Sequence, residues 1–246
     1  MNKSIEILGV KIHPLTASQT LNAVEGYILE KRPLHLMGVN ADKINLCQSD
    51  SELMRIVNEC EITNADGASV VLAGKYLGLD IPERVAGIDL MQDLLKLCES
   101  KGYSVYFFGA KQDVLEEMLK AFQETYPNLK ISGARNGYFS DDDLGQIGEE
   151  IRKLQPEIVF VGITSPKKEY IVDHFLKNGI NSVYMGVGGS FDVLSGKIPR
   201  APKWMQKSNL EWLFRVMNEP RRLFKRYFIG NTTFINRIIK EKRSKK

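Results

Sequence analysis

Four short apolar runs rich in β-branched and aromatic residues punctuate the chain: LHLMGVN at 34–40, SVYFFGA at 104–110, EIVFVGI at 157–163 and NSVYMGVG at 181–188. Between them lie longer stretches in which apolar residues return every three or four positions, the period of a helix with one buried face. This pattern predicts helices at 16–31, 49–59, 67–77, 89–101, 112–125, 142–154 and 167–178. Strands alternating with helices in this way predict βαβ units, and hence an α/β fold with a Rossmann-like, mostly parallel sheet flanked by helices. In such a sheet, ligands gather beyond the carboxyl ends of the strands.

From Pro199 onward the pattern changes. RAPKWMQKSNLEWLFRVMNEPRRLFKRYFIGNTTFINRIIKEKRSKK holds no strand candidate and reads as two or three helices broken at Pro220 and near Gly230. Charge changes at the same place. Residues 197–246 carry 15 Lys/Arg against 3 Asp/Glu, net +12, whereas residues 1–196 carry 19 against 27, net −8. The expected organisation is an α/β domain over 1–196 and a basic helical appendage over 197–246.

The 246 residues are 43% hydrophobic and 26% charged, ample for a core and unlike a disordered chain. No run approaches the ~18 to 20 apolar residues of a spanning helix. The opening MNKSIEILGVKIHP is interrupted by Glu6 and Lys11 where a signal peptide has an unbroken apolar core, so a cytoplasmic location is expected. Cys47, Cys60 and Cys98 are odd in number and lack metal-ligand spacing, and read as ordinary thiols. The basic tail seeks phosphate. Arg215, Arg221, Arg222, Lys225 and Arg226 are interleaved with Trp212, Phe214, Leu223, Phe224, Tyr227 and Phe228, which suits an anionic lipid surface or an amphipathic helix packed on its own sheet. No nucleic-acid-binding motif accompanies the charge, and no nucleic-acid partner is expected.

Several segments at predicted strand ends could carry chemistry. GVGGSFDVLSG, 186–196, is either a tight turn or a place where bare backbone at Gly186, Gly188 and Gly189 approaches a diphosphate. It is not a dinucleotide fingerprint. Asp192 within it could meet a ribose or uracil, or simply complement a helix dipole. In TNADGASVV, 63–71, Asp66 before Gly67 is either a helix cap or a general base pointed into a cleft. Asn40 either turns a loop or offers a donor and an acceptor to a sugar. GITSPKKEYI, 162–171, starts a helix on Lys167 and Lys168, which oppose its dipole unless an anion is near. Asp141, Asp142 and Asp143 superficially resemble a metal-binding DxD but open a polar helix, and read as capping. His13, His35 and His174 show no ligand spacing, so a metal-free mechanism without a cofactor is the working assumption.

In order along residues 5–230, GVNADKI, NADGASVV, ERVAGIDL, FFGA, NGYF, GITSPKKE, YMGVGGSFDVLSG, RAPKWMQ and LEWLFRVMNEPRRLFKRY together resemble the WecG/TagA/CpsF family of bacterial glycosyltransferases. The resemblance implies an inverting, metal-independent transfer from a UDP-sugar, typically UDP-N-acetylmannosamine or its uronic acid, to the N-acetylglucosamine of a polyprenyl-diphosphate intermediate. Other donors such as UDP-glucose remain open, as does a non-catalytic nucleotide-sugar-binding scaffold. Carried over by position, Asp66 is the base, Asn40 orients substrate, and Arg215 and Arg222 close over the site. Gly38, Gly67, Gly109, Tyr138, Lys168, Gly186, Gly188, Gly189, Asp192, Arg221, Lys225 and Arg226 fall in matching segments and are expected to contact substrate. The resemblance further implies a homo-oligomer working peripherally at the inner leaflet of the cytoplasmic membrane, in teichoic acid or other surface-polysaccharide synthesis. Two positions depart from the family pattern. Teichoic-acid members resemble TxN where this chain has Gly38-Val39-Asn40, and many members have Gln where this chain has Lys168.

Overall fold

The computed structural model describes residues 4–244 except Asn209 and Glu219, with the side chains at 141, 207, 221, 222 and 224–226 left out. Its centre is a six-stranded, all-parallel sheet. The strands are β3 (Leu34–Val39), β4 (Ile62–Ala65), β5 (Ser104–Gly109), β6 (Lys130–Arg135), β7 (Ile158–Gly162) and β8 (Val183–Gly186), in the order β4-β3-β8-β7-β5-β6. Before them, β1 (Ile5–Ile7) and β2 (Val10–Ile12) form an antiparallel hairpin. The hairpin is tied to β4 by His13 N–H donating to the Thr63 carbonyl and by the Thr63 hydroxyl donating to the Lys11 carbonyl, both at 2.8 Å.

Helices cover both faces, as a parallel sheet requires. On one side, α1 (Ala17–Leu29), α5 (Gly87–Lys101), α6 (Gln112–Thr125) and the short α9 (Ser190–Leu194) enclose Leu34, Leu36, Phe107, Phe160, Met185 and Phe191. On the other, α2 (Ala41–Cys47), α3 (Ser51–Glu59), α7 (Leu144–Leu154) and α8 (Lys167–Lys177) enclose Met37, Val39, Tyr106, Phe108, Val161 and Tyr184. Neighbours such as Leu36 and Met37 thus pack on opposite faces, the two-residue period of a strand buried on both sides. Completing the chain are α4 (Ala68–Leu77), α10 (Lys203–Lys207), α11 (Glu211–Asn218) and α12 (Pro220–Ser244).

The α/β expectation and its four strong strands hold. The hairpin, β6 and α2 were not foreseen, and β4 was not among the four apolar runs. Three-residue strands are too short to show a period, and KISGAR in β6 is an edge sequence whose residues are at best half-buried. The expected break at Pro220 holds, α11 ending at Asn218 and Pro220 opening α12, but the one near Gly230 is corrected: α12 runs through it without interruption. A helical glycine costs about 1 kcal/mol relative to alanine. Here its carbonyl accepts from Asn45 Nδ2 at 2.8 Å, and a β-carbon at 230 would meet only that nitrogen, at 4.0 Å, so the packing of α12 on α2 does not demand the glycine.

The basic tail is anchored at its far end. Phe234 and Ile238 of α12 are buried in the cluster that holds Val39, Ile44 and Val70. Around them, Arg237 donates to Asn45 Oδ1 at 2.8 Å, Lys242 bonds the Tyr76 carbonyl beneath its ring, and Leu8 N–H donates to Glu241. Truncating Phe234 to alanine should therefore lower global stability by about 3 kcal/mol. Urea unfolding measures this directly, and an unchanged midpoint would mean that α12 is not part of the core.

Candidate active site at the carboxyl ends of four adjacent strands

The carboxyl ends of β4, β3, β8 and β7 stand side by side, and each carries one of the segments singled out in the sequence. Asp66 follows β4, Asn40 follows β3, the Gly186–Gly189 turn ends β8, and the loop to Lys168 leaves β7.

Asp66 does not cap its own helix. The N-cap of α4 is Gly67, with no side-chain cap bond. Instead the Asp66 carboxylate crosses to the first turn of α5, where Gly87 N–H donates to Oδ1 at 3.0 Å. The unpaired N–H groups and positive end of a 15-residue helix suit a carboxylate there. The second oxygen, Oδ2, has no protein partner among the described residues. It lies beside two glycines: a β-carbon on Gly38 would sit 3.1 Å from it and one on Gly87 3.7 Å. A β-carbon on Gly38 would also come within 2.9 Å of Asp66 Cβ, so the missing side chain at 38 is what lets Asp66 lie over β3. The main chain of Asp66 is held as well, its N–H donating to the Val39 carbonyl at 2.9 Å and its carbonyl accepting from Arg84 Nε at 3.1 Å.

Asn40 is the N-cap of α2, its Oδ1 accepting from Lys43 N–H at 3.0 Å. The cap uses the acceptor and leaves the amide Nδ2 without a protein partner among the described residues. Gly67 packs against Asn40, where a β-carbon would lie 3.2 Å from Asn40 Cβ.

Lys168 lies across the glycine turn. A β-carbon on Gly186 would fall 2.7 Å from Lys168 Cε, and one on Gly188 3.8 Å from Nζ. Gly186 is therefore bare because a lysine stem occupies the space, while Gly188 takes a left-handed backbone at φ +53°. Nζ donates to Ser165 Oγ at 2.8 Å and stands 3.4 Å from Glu169 Oε1. Beneath it is a buried ion pair that the sequence did not announce, Lys43 with Glu169 at 2.5 Å, their side chains 4% and 0% exposed. Burial works against the Glu169 carboxylate, but Lys43, Lys168 and the Ser165 hydroxyl outweigh it and hold the group well below the usual carboxylate range. Burial, with Lys43 nearby, pushes the Lys168 ammonium down to about 8 against the pull of Glu169 and Asp66. His35 on β3 is pushed down to about 4, chiefly by burial, and is neutral at neutral pH.

Other expected site residues lie elsewhere. Tyr138 is largely exposed beyond β6, five strands from β4 and so on the order of 24 Å across the sheet. Gly109 ends β5 with φ +145°, and a β-carbon there would collide with the Gly162 carbonyl carbon at 2.4 Å, so its bareness is a demand of strand packing. The structure brings neither to Asp66. Asp192 is in the first turn of α9, beside Gly189. Asp143 turns back to accept from the N–H and hydroxyl of Ser140, so the acidic run forms a closed turn before α7. The side chains of Arg221, Arg222, Lys225 and Arg226 lie outside the described residues.

Arg215 donates to Glu211 Oε1 at 3.1 Å. Glu211 also receives Arg84, which connects the tail to the Asp66 loop. Arg84, Glu211, Lys43 and Glu169 are the residues that sequence reading missed. Glu211 carried one signal, as one of three acids among fifteen bases in the tail.

This cleft sits on a chain whose residues 5–246 match the family model described as "Glycosyl transferase WecG/TagA/CpsF family". Among characterised relatives, the N-acetylglucosaminyldiphosphoundecaprenol N-acetyl-beta-D-mannosaminyltransferase of Bacillus subtilis (strain 168) is 30% identical over 220 residues, 89% of this chain and 84% of the relative. The protein of the same name from Bacillus spizizenii is 29% identical over 189 residues, 77% of this chain and 72% of the relative. With the match spanning the sheet, the Asp66 cleft and the helical tail alike, the chain belongs to the WecG/TagA/CpsF family of glycosyltransferases.

Proposed function

We propose that this glycosyltransferase moves N-acetylmannosamine from a UDP-sugar to the N-acetylglucosamine of a polyprenyl-diphosphate-linked acceptor, with inversion and without a metal ion. The observation that carries the reading is Asp66. One carboxylate oxygen is fixed by the first turn of α5, and the other, beside Gly38 and Gly87, has no protein partner among the described residues. A single free, oriented carboxylate is what a one-step displacement needs. Oδ2 takes the proton from the acceptor hydroxyl as its oxygen bonds to the anomeric carbon. The bond from that carbon to the UDP oxygen breaks on the opposite face, and its electron pair leaves with the diphosphate.

Charge growing on the leaving diphosphate has to be met by preorganised donors. Lys168 and the backbone of the Gly186–Gly189 turn are adjacent, and we assign them this role, with Arg215 and the other tail arginines. Asn40 keeps its amide for the sugar. A second donor deserves a place because of Lys168: a nearly buried cation close to Asp66 favours a sugar that itself carries a carboxylate, such as UDP-N-acetylmannosaminuronic acid.

We place the enzyme on the inner face of the cytoplasmic membrane, as a homo-oligomer. Trp204, Met217, Phe228 and Ile229 of α10–α12 are exposed apolar side chains within a segment of net +12. No described helix is long and apolar enough to cross a membrane. Surface attachment through such side chains and basic charge needs none.

Three measurements test this reading. Asp66→Asn should fold normally and lose on the order of 10²- to 10⁴-fold in turnover, followed as UDP release on adding a short-chain N-acetylglucosaminyl-diphosphate lipid; wild-type turnover would remove Asp66 as the base. Lys168 is charged below a pH of about 8 and neutral above it, so kcat/KM for the donor should fall as pH rises through that value. Lys168→Gln should abolish that limb and cost about 10- to 100-fold at neutral pH, the worth of one charge-assisted hydrogen bond. An unaltered alkaline limb in the variant would show that another group titrates. Finally, the protein should sediment with vesicles containing phosphatidylglycerol but not with pure phosphatidylcholine, and added salt should release it; equal binding to both would rule out an electrostatic surface site.

A further inference from the structure

Glu211, at the start of α11, is 5% exposed although it lies in the most basic part of the chain. Its two oxygens serve different arginines. Oε2 accepts from Arg84 at 2.8 Å and Oε1 from Arg215 at 3.1 Å. Arg84, before α5, also donates through Nε to the main-chain carbonyl of Asp66 at 3.1 Å. One guanidinium therefore rests on the peptide of the base and on the tail at once.

We infer that Glu211 is a positioning residue for the transfer, clipping α11 to the Asp66 loop through Arg84 while holding Arg215 on the same carboxylate. The inference deepens the reading of Asp66 as the base and rests on it.

Without the charge of Glu211, Arg84 and Arg215 face each other as like charges, and the contact that holds α11 becomes a repulsion. A glutamine in its place keeps the shape and an acceptor but not the neutralisation. The carboxyl reflects its setting: burial opposes its ionised form, but the bond from Arg84 and the charges of Arg215 and Arg200 outweigh burial and hold it below its ordinary range. Arg200 in turn bonds Asp89 at 2.5 Å and Gln92 at 3.3 Å on α5, the helix whose first N–H fixes Asp66. The beginning of the tail thus meets both supports of the base. Its end is secured separately by Phe234 and Ile238, so losing Glu211 frees the near end without detaching the tail.

The test uses the full chain with Glu211→Gln, Arg215→Gln and the double variant, assayed by UDP release with the same short-chain lipid acceptor and by hydrogen exchange over residues 211–218. Glu211→Gln should lower kcat on the order of 100-fold, the cost of misplacing reacting groups by about 1 Å. Donor KM should barely change and exchange in α11 should be faster than in wild type. The double variant should lose less than the product of the two single losses, because Glu211 holds Arg215 through a direct contact. Wild-type kcat with unchanged exchange overturns the inference, and so does a double variant whose losses multiply. If Glu211→Gln does not fold, Glu211→Asp, which keeps the charge but cannot span both arginines, carries the same expectations. If wild-type enzyme releases no UDP with acceptor present, the transferase reading fails, and exchange alone judges the clip: faster supports it, unchanged overturns it.

Discussion

The buried pair of Lys43 and Glu169 is the contact on which the site's geometry depends. It joins the helix after β3 to the helix after β7, across β8, and so ties the segments that leave two of the four strand ends, over strands that the sheet ladder already pairs. Removing two charges from water is costly, and their attraction offsets this only with good geometry and additional hydrogen bonds. Here the same Glu169 oxygen also accepts from Ser165 and faces Lys168. The cluster of two lysines and one carboxylate, beside a neutral His35, leaves a positive charge under the glycine turn.

The Asp66 side of the cleft follows a different logic. Its carboxylate is placed by bare backbone at Gly38 and Gly87 and by one backbone N–H on Oδ1, while the Arg84–Glu211 pair supports the main chain from behind. Gly38 leaves the space in which Asp66 lies, since a β-carbon there would come within 2.9 Å of Asp66 Cβ. Lys168 likewise occupies the space left by Gly186, so in both cases a bare glycine makes room for a charged side chain of the site.

Tail and α/β unit are less separable than a change of charge near residue 197 suggests. Arg200 reaches α5, Glu211 meets Arg84, and α12 returns to bury Phe234 and Ile238 against α2 and α4. The segment with the greatest positive charge is therefore held at both ends by named contacts, and its exposed apolar side chains are displayed from a fixed frame.

By itself the sequence determined the class of fold, the strong strands, the basic character of the tail and the ordered motifs that mark the family, because each is a matter of period, composition or local spacing. Asp66 and Asn40 were legible as candidates but ambiguous, since a carboxylate or amide at a helix start has the same local signature whether it caps or reacts. Only the tertiary structure shows what each side chain bonds: Asn40 caps α2 through Oδ1, and Asp66 bonds a helix 21 residues away instead of its own. Tertiary packing likewise put Tyr138 beyond β6, away from Asp66, set Gly109 against Gly162 at the end of β7, and revealed the pairing of Lys43 with Glu169 and of Arg84 with Glu211. Those partners are 126 and 127 residues apart, and no local pattern encodes which charge a folded sheet will place opposite another.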